Sequence, residues 1–256
     1  MIVAIILCDR TPAIRDDKSV YLLPLDGETV IERVTRTVLR GPFGGTVVVS
    51  APALSAQIRQ LLAGFAVQHV EAARTEDGPH AALREALACA ESFRRRWEKA
   101  AAAASARFSG ADESARPARQ SDWARHRQSA DVKIRGLARA FECDGVILFR
   151  GDRPGLTPEL QAQVVDAFGR QAEGPQTPTR PFAQAVHAGR RGYPILMDLA
   201  AAREVAALPP ATDFDAWLGQ RPERVLDVAV SDSAVVAEIA SAADFQKFRD
   251  ELGPKP

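Results

Sequence analysis

The chain has 256 residues, 46% of them hydrophobic and 26% charged, and its formal net charge is zero. That length suits one large α/β domain or two small ones, with enough apolar side chains for a core. Balanced charge excludes a partner chosen by global electrostatics. Three scattered cysteines, Cys8, Cys89 and Cys143, exclude a disulfide framework or a CxxC-type zinc site and fit a reducing cytoplasm.

The first element is the apolar run 2–7, too short to span a bilayer and without the basic flank of a signal peptide, so no membrane contact is expected. It reads as a buried strand of a parallel sheet. From Glu28, apolar residues Val30, Ile31, Val34, Val38 and Leu39 recur at helical spacing until Gly41-Pro42 stops them. Residues 46–50 form a second apolar strand, 55–62 a helix, 67–70 a short strand and 80–89 another helix. Residues 146–149 are a further buried strand that ends at Gly151-Asp152. Thr157-Pro158-Glu159 then starts a helix that runs through Phe168, with proline at its first position.

Alternating strands and helices imply a mostly parallel sheet covered on both faces. Ligands in such sheets sit at the carboxyl ends of the strands. Two loops are therefore favoured as the site, 8–21 and 150–156. Residues 94–139 break the pattern. They hold Arg94-Arg95-Arg96, an alanine run at 100–104 and a polar tail, with twelve basic and five acidic residues. This basic insert reads as a helix extension, a linker, and a second helix near 131–141.

Leu22-Leu23-Pro24-Leu25-Asp26-Gly27-Glu28-Thr29-Val30-Ile31 resembles the second half of the signature of the MobA-like NTP transferases, which include the molybdopterin cytidylyl- and guanylyltransferases. Further likenesses follow in the family's order. Glu76-Asp77-Gly78 with residues 83–87 resembles its glycine-containing loop and helix, and Gly151-Asp152-Arg153-Pro154 its metal-binding GDxP turn. Residues 189–194 resemble its GxxGHP segment, and residues 238–245 its DIDTPEDY ending. The resemblance implies a three-layer, Rossmann-like α/β fold of the nucleotide-diphospho-sugar transferase type. It covers 1–256 as a single nucleotidyltransferase-like domain, with 94–139 inserted. It also implies transfer of a nucleoside monophosphate from an NTP with release of pyrophosphate, assisted by Mg2+.

The resemblance places Gly78 in the nucleotide loop, Tyr193 on the acceptor side and Asp152 at the first metal position. Arg10, Arg15 and Lys18 are the cations available to hold the nucleotide's phosphates, although Arg15 falls one place late and Lys18 two places early relative to the family's loop. Arg190 and Arg191 are candidates for gripping an acidic substrate, because arginine matches phosphate or carboxylate bidentately. Glu238, two residues before the family's second metal position, is the candidate second ligand beside Asp152. The departures fall on these same residues. The family's first loop, LAAGxSxRMGxxK, wraps phosphate with glycine backbone amides. Here residues 7–18 contain no glycine, Pro12 removes a donor, and Asp9, Asp16 and Asp17 oppose phosphate. The later aspartate of DID is Ala240, with Glu238 two residues before it, and Tyr193 stands where the family has histidine.

Three readings follow. In the first, the chain is a family member linked to molybdenum-cofactor nucleotide transfer. Its catalysis is impaired or lost with the phosphate loop and the second metal carboxylate, but it still takes a nucleotide or pterin-type small molecule. In the second, it is an active transferase with a rearranged site: Arg10, Arg15 and Lys18 on the triphosphate, magnesium on Asp152 and Glu238. In the third, it is a scaffold that binds a protein partner through 94–139. Basic residues beside Trp97 and Trp123 permit contact with nucleic acid, but nothing else supports it and none is expected.

Overall fold

Alternation along the first strand sorts its side chains onto two faces. In β1 (Ile2–Cys8), Ile2, Ala4, Ile6 and Cys8 join one buried cluster, whereas Val3, Ile5 and Leu7 join another. Both clusters are apolar, which is why this strand is hydrophobic at every position and belongs in the centre of a sheet. The computed structural model describes residues 1–9, 13–15, 18–72, 79–108, 131–132, 144–171, 180–209 and 212–252.

After β1 come a small hairpin, β2 (Ala13–Arg15) with β3 (Lys18–Ser19), and a 3-10 turn at Val20–Leu22. A second hairpin pairs β4 (Pro24–Leu25) with β5 (Glu28–Thr29) around Asp26 and Gly27, both at positive φ. It delivers the chain to α1 (Val30–Leu39). Thr29 and Glu32 form a complete capping box there, with Thr29 N–H donating to Glu32 Oε2 at 2.7 Å. Such a cap stabilises a helix start by about 1 kcal/mol. β6 (Gly45–Ser50) follows, then α2 (Pro52–Leu61), β7 (Gln68–Glu71) and α3 (Pro79–Phe108). α2 starts three residues before the expected position, because Pro52 fits the first turn, where no N–H is needed. α3 carries the expected helix on through the arginine and alanine runs. The linker and second helix expected up to 141 lie outside the described residues, apart from Asp131 and Val132.

β8 (Gly145–Arg150) leads to α4 (Pro158–Arg170), capped by Thr157 as expected. Beyond α4 are β9 (Phe182–His187), β10 (Arg190–Asp198), α5 (Leu199–Ala206), α6 (Phe214–Gly219), β11 (Val225–Ala229) and α7 (Ala242–Leu252). The large sheet has seven strands in the order β11-β9-β10-β8-β1-β6-β7. Among the described residues its strands are parallel except β10, which runs against both neighbours. Residues from α1, α2, α4 and α7 cover one face, and residues from α3, α5 and α6 cover the other. The result is three layers. The chain moves outward from β1 to β6 and β7, then returns to β8 on the far side of β1. The strand order therefore reverses between β1 and β8, which is where open α/β sheets place their ligands.

Candidate functional site

The two favoured loops meet at this reversal. Register pairs Leu7 with Arg150, and Gly151 N–H donates to Leu7 O at 2.9 Å. Asp9 continues the parity of Val3, Ile5 and Leu7, and Arg150 that of Val146 and Leu148, so both start from the α3 side of the sheet. The Arg150 guanidinium joins the two loops. Its Nη1 lies 3.0 Å from Asp9 Oδ1 and donates to Asp9 Oδ2 at 3.4 Å, while its Nη2 donates to Asp152 Oδ2 at 3.3 Å. Asp9, Arg150 and Asp152 are 5%, 2% and 3% exposed, so this is a buried ion triad. Burial alone would lower the Arg150 pKa, but Asp9 and Asp152 more than offset it and hold the group protonated.

The Gly-Asp-x-Pro turn has a steric cause. A Cβ on Gly151 would stand 2.6 Å from Cys8 Sγ and 3.0 Å from the Tyr21 ring, so only glycine fits. Arg153, next along, donates Nη1 to Val235 O at 2.7 Å and Nη2 to Glu238 Oε2 at 2.8 Å, and lies over the Tyr193 ring. Ile239 N–H donates to Asp152 O at 3.0 Å, closing the 235–240 segment onto the turn. That segment is not a strand: Glu238 is half-buried and Ala240 exposed. Gly192 is also required, because a Cβ there would overlap Val235 O.

Of the residues singled out in the sequence, Asp152, Glu238 and Tyr193 lie around this centre. Tyr193 is buried and lines a cavity of about 170 Å³ with Arg153, Gln184, Arg191 and Asp215. Arg191 pairs with Asp227 at 2.8 Å. Arg190 is exposed and lines a cleft of about 520 Å³ with Glu238, Ala240 and Lys247. Lys18 is exposed on β3. Arg10, Gly78 and the Arg15 side chain lie outside the described residues. A larger cleft of about 690 Å³ beside α1 does not include Asp9, Arg150 or Asp152 in its lining, and its Arg33 and Arg36 pair with Glu28.

Among the described residues, the thiol and the two phenols at the centre are not disposed as nucleophiles or bases. Burial, reinforced by Asp9 and Asp152, pushes the Cys8 thiol well above its ordinary pKa. Burial, with Cys8 and Asp152, does the same to Tyr21. Tyr193 is raised by burial and by Asp215. All three stay protonated at neutral pH.

Among the described residues, no three His, Cys, Asp or Glu groups gather as a metal site. Magnesium asks for one or two free carboxylates with water or phosphate oxygens completing the shell. Here Glu238 is held by Arg153, and position 240 supplies no oxygen. Asp152 keeps one oxygen, Oδ1, buried and without a hydrogen-bond partner. A divalent ion on that oxygen would stand on the order of 5 Å from the Arg150 guanidinium. Their repulsion there is about 7 kcal/mol at an effective dielectric of roughly 20. That cancels a large part of the attraction one carboxylate offers, so the residues present fit a divalent metal poorly.

The sequence pattern gives no role to Arg150 or Arg153 and presents Asp9 only as a repeller of phosphate. The available signal was an arginine closing the otherwise apolar Gly145–Arg150 strand. Such a residue is buried only with a partner.

A sheet whose order reverses at β1 and β8, with charged loops at the reversal and helices on both faces, defines a three-layer protein of Rossmann-like build. The profile of the MobA-like NTP transferase domain matches residues 15–225, and the chain belongs to that family. Solved structures agree on the fold. Rv0371c of Mycobacterium tuberculosis aligns over 98% of both chains at 17% identity and TM-score 0.63. A second structure of that protein is a complex with manganese, at TM-score 0.60, 17% identity and coverage of 97% and 98%. A nucleotidyl transferase of Methanothermobacter aligns over 98% of this chain and 97% of its own, at 16% identity and TM-score 0.61. No curated protein matches the chain by sequence. No described helix is long and apolar enough to cross a membrane.

Proposed function

We propose that this chain is a nucleotide-binding member of the nucleotidyltransferase family, related to molybdenum-cofactor nucleotide transfer and impaired in the transfer step. The whole chain, 1–256, serves as one such domain with 94–139 as an insertion, in a cytoplasmic setting. The observation that carries this reading is the pairing of both candidate metal carboxylates with arginine, Asp152 with Arg150 and Glu238 with Arg153. Phosphoryl-type transfer depends on positive charge arranged around the phosphates. Here the buried cations are committed to carboxylates of the protein, and the glycine amides of the first loop are gone. The nucleotide, or a pterin-type molecule, is assigned to the loops around Arg10, Arg15, Lys18 and Gly78, with Arg190, Arg191 and Tyr193 on the acceptor side.

The test is pyrophosphate release from each of the four NTPs with Mg2+ or Mn2+. Background rates with all four are expected, and turnover at an enzyme-like rate with any one would overturn the reading. One observation favours a second reading. The buried, unpartnered Asp152 Oδ1 is the oxygen that an active, rearranged site would offer to magnesium. In that case Asp152→Ala abolishes the turnover.

A further inference from the structure

We infer that the Arg150 guanidinium is a resident cation, standing in for a divalent metal between the carboxyl ends of β1 and β8. The inference rests on the proposed reading of this end of the sheet as the ligand site. It extends that reading by naming Arg150 as the residue that sets the site's metal independence.

Three observations carry it. First, Arg150 touches a carboxylate from each loop, Asp9 at 3.0 Å and Asp152 at 3.3 Å, as one ion bridging two loops would do. Second, the triad is sealed: all three side chains are more than nine-tenths buried. Third, the other candidate metal carboxylate, Glu238, is taken by a second arginine, Arg153, at 2.8 Å. Arginine cannot lose its proton here, so its charge is permanent. It is also tethered, so it cannot be exchanged or chelated away. Asp9, Arg150 and Asp152 together carry one negative charge, whereas two carboxylates without the arginine would carry two and would attract a divalent ion. Holding the two loops together at the carboxyl ends of β1 and β8 accordingly needs no metal.

The decisive experiment is a Mn2+ titration of the full chain, with free Mn2+ read by electron paramagnetic resonance. Wild type is expected to retain none. Arg150→Met, which removes the cation and leaves both carboxylates, is expected to bind Mn2+ tighter by at least about tenfold. Arg150→Met/Asp152→Asn should lose that site again, and Arg150→Lys, which keeps a cation, should never gain it. Retention of Mn2+ by wild type that Asp152→Asn abolishes would overturn the inference. So would a folded Arg150→Met protein, checked by circular dichroism, that binds no more Mn2+ than wild type. If Arg150→Met does not fold, Arg150→Gln takes its place, and if neither folds the wild-type titration decides. A parallel melt with each NTP in EDTA separates the two proposals. No shift with or without Mg2+ counts against the nucleotide reading alone, because the Mn2+ titration judges Arg150 without any nucleotide.

Discussion

Arginine–carboxylate pairs occur both on the surface of this molecule and at the carboxyl end of its sheet, and the two settings differ mainly in their access to water. On the outer face, Arg224 meets Glu204 through bonds of 2.7 and 2.6 Å, and Arg203 reaches Glu91 at 2.7 Å. At the carboxyl end of the sheet, Arg150 stands farther from its partners, 3.0 Å from Asp9 and 3.3 Å from Asp152. Distance alone would rank the outer pairs as stronger. Burial reverses the ranking of what each loss costs. A surface pair exchanges one solvated state for another, whereas a buried group that loses its partner keeps its charge and has no water to turn to. The inner triad is thus poor evidence for stability, however costly the loss of one of its members.

The strongest challenge to that contrast is Arg150→Met. Two buried carboxylates without a cation should cost roughly 3–5 kcal/mol, measured by denaturant unfolding. A loss comparable to that of a surface pair would show the triad to be better hydrated than its burial implies. A sharper form replaces all three residues, Asp9→Leu/Arg150→Met/Asp152→Leu. With no charge left to strand, stability should stay within about 2 kcal/mol of wild type or rise. If the triple variant is as unstable as Arg150→Met, apolar packing and not charge governs the region. The smallest effect belongs to Glu204→Gln, under about 1 kcal/mol near neutral pH. The Arg224 hydrogen bonds hold the Glu204 carboxyl below its ordinary value. Its contribution is therefore fully present above about pH 4.3 and is lost as pH falls through the lowered folded value. Unfolding curves of wild type and variant should converge in acid.

The framework was legible because its cause is local. Apolar runs at 2–7, 46–50 and 146–149 had only one way to be buried, and Thr157-Pro158 marks a helix start whatever surrounds it. The antiparallel β10 was harder to read: its hairpin with β9 turns on Ala188 and Gly189, both at positive φ, and Ala188 gives no turn signal. The site was legible by place but not by partner. Both loops could be named from the strand pattern, yet the bond between Asp9 and Arg150 spans 141 positions, and nothing near either residue announces the other. Glu238 shows the same limit: its place in the sequence gives no sign of Arg153, 85 positions away, which holds it.

β1 bonds to β6 on one side and to β8 on the other. β6 lies close behind it in sequence, but β8 ends at Arg150, 141 residues after Asp9. On a ribosome adding roughly 5–20 residues per second, β1 would wait on the order of ten seconds with one edge open. During that interval an all-apolar strand presents unpaired amides and carbonyls to any neighbouring chain. The final turn of the key comes with β8, whose last residue closes the edge and brings the cation for Asp9 in a single step.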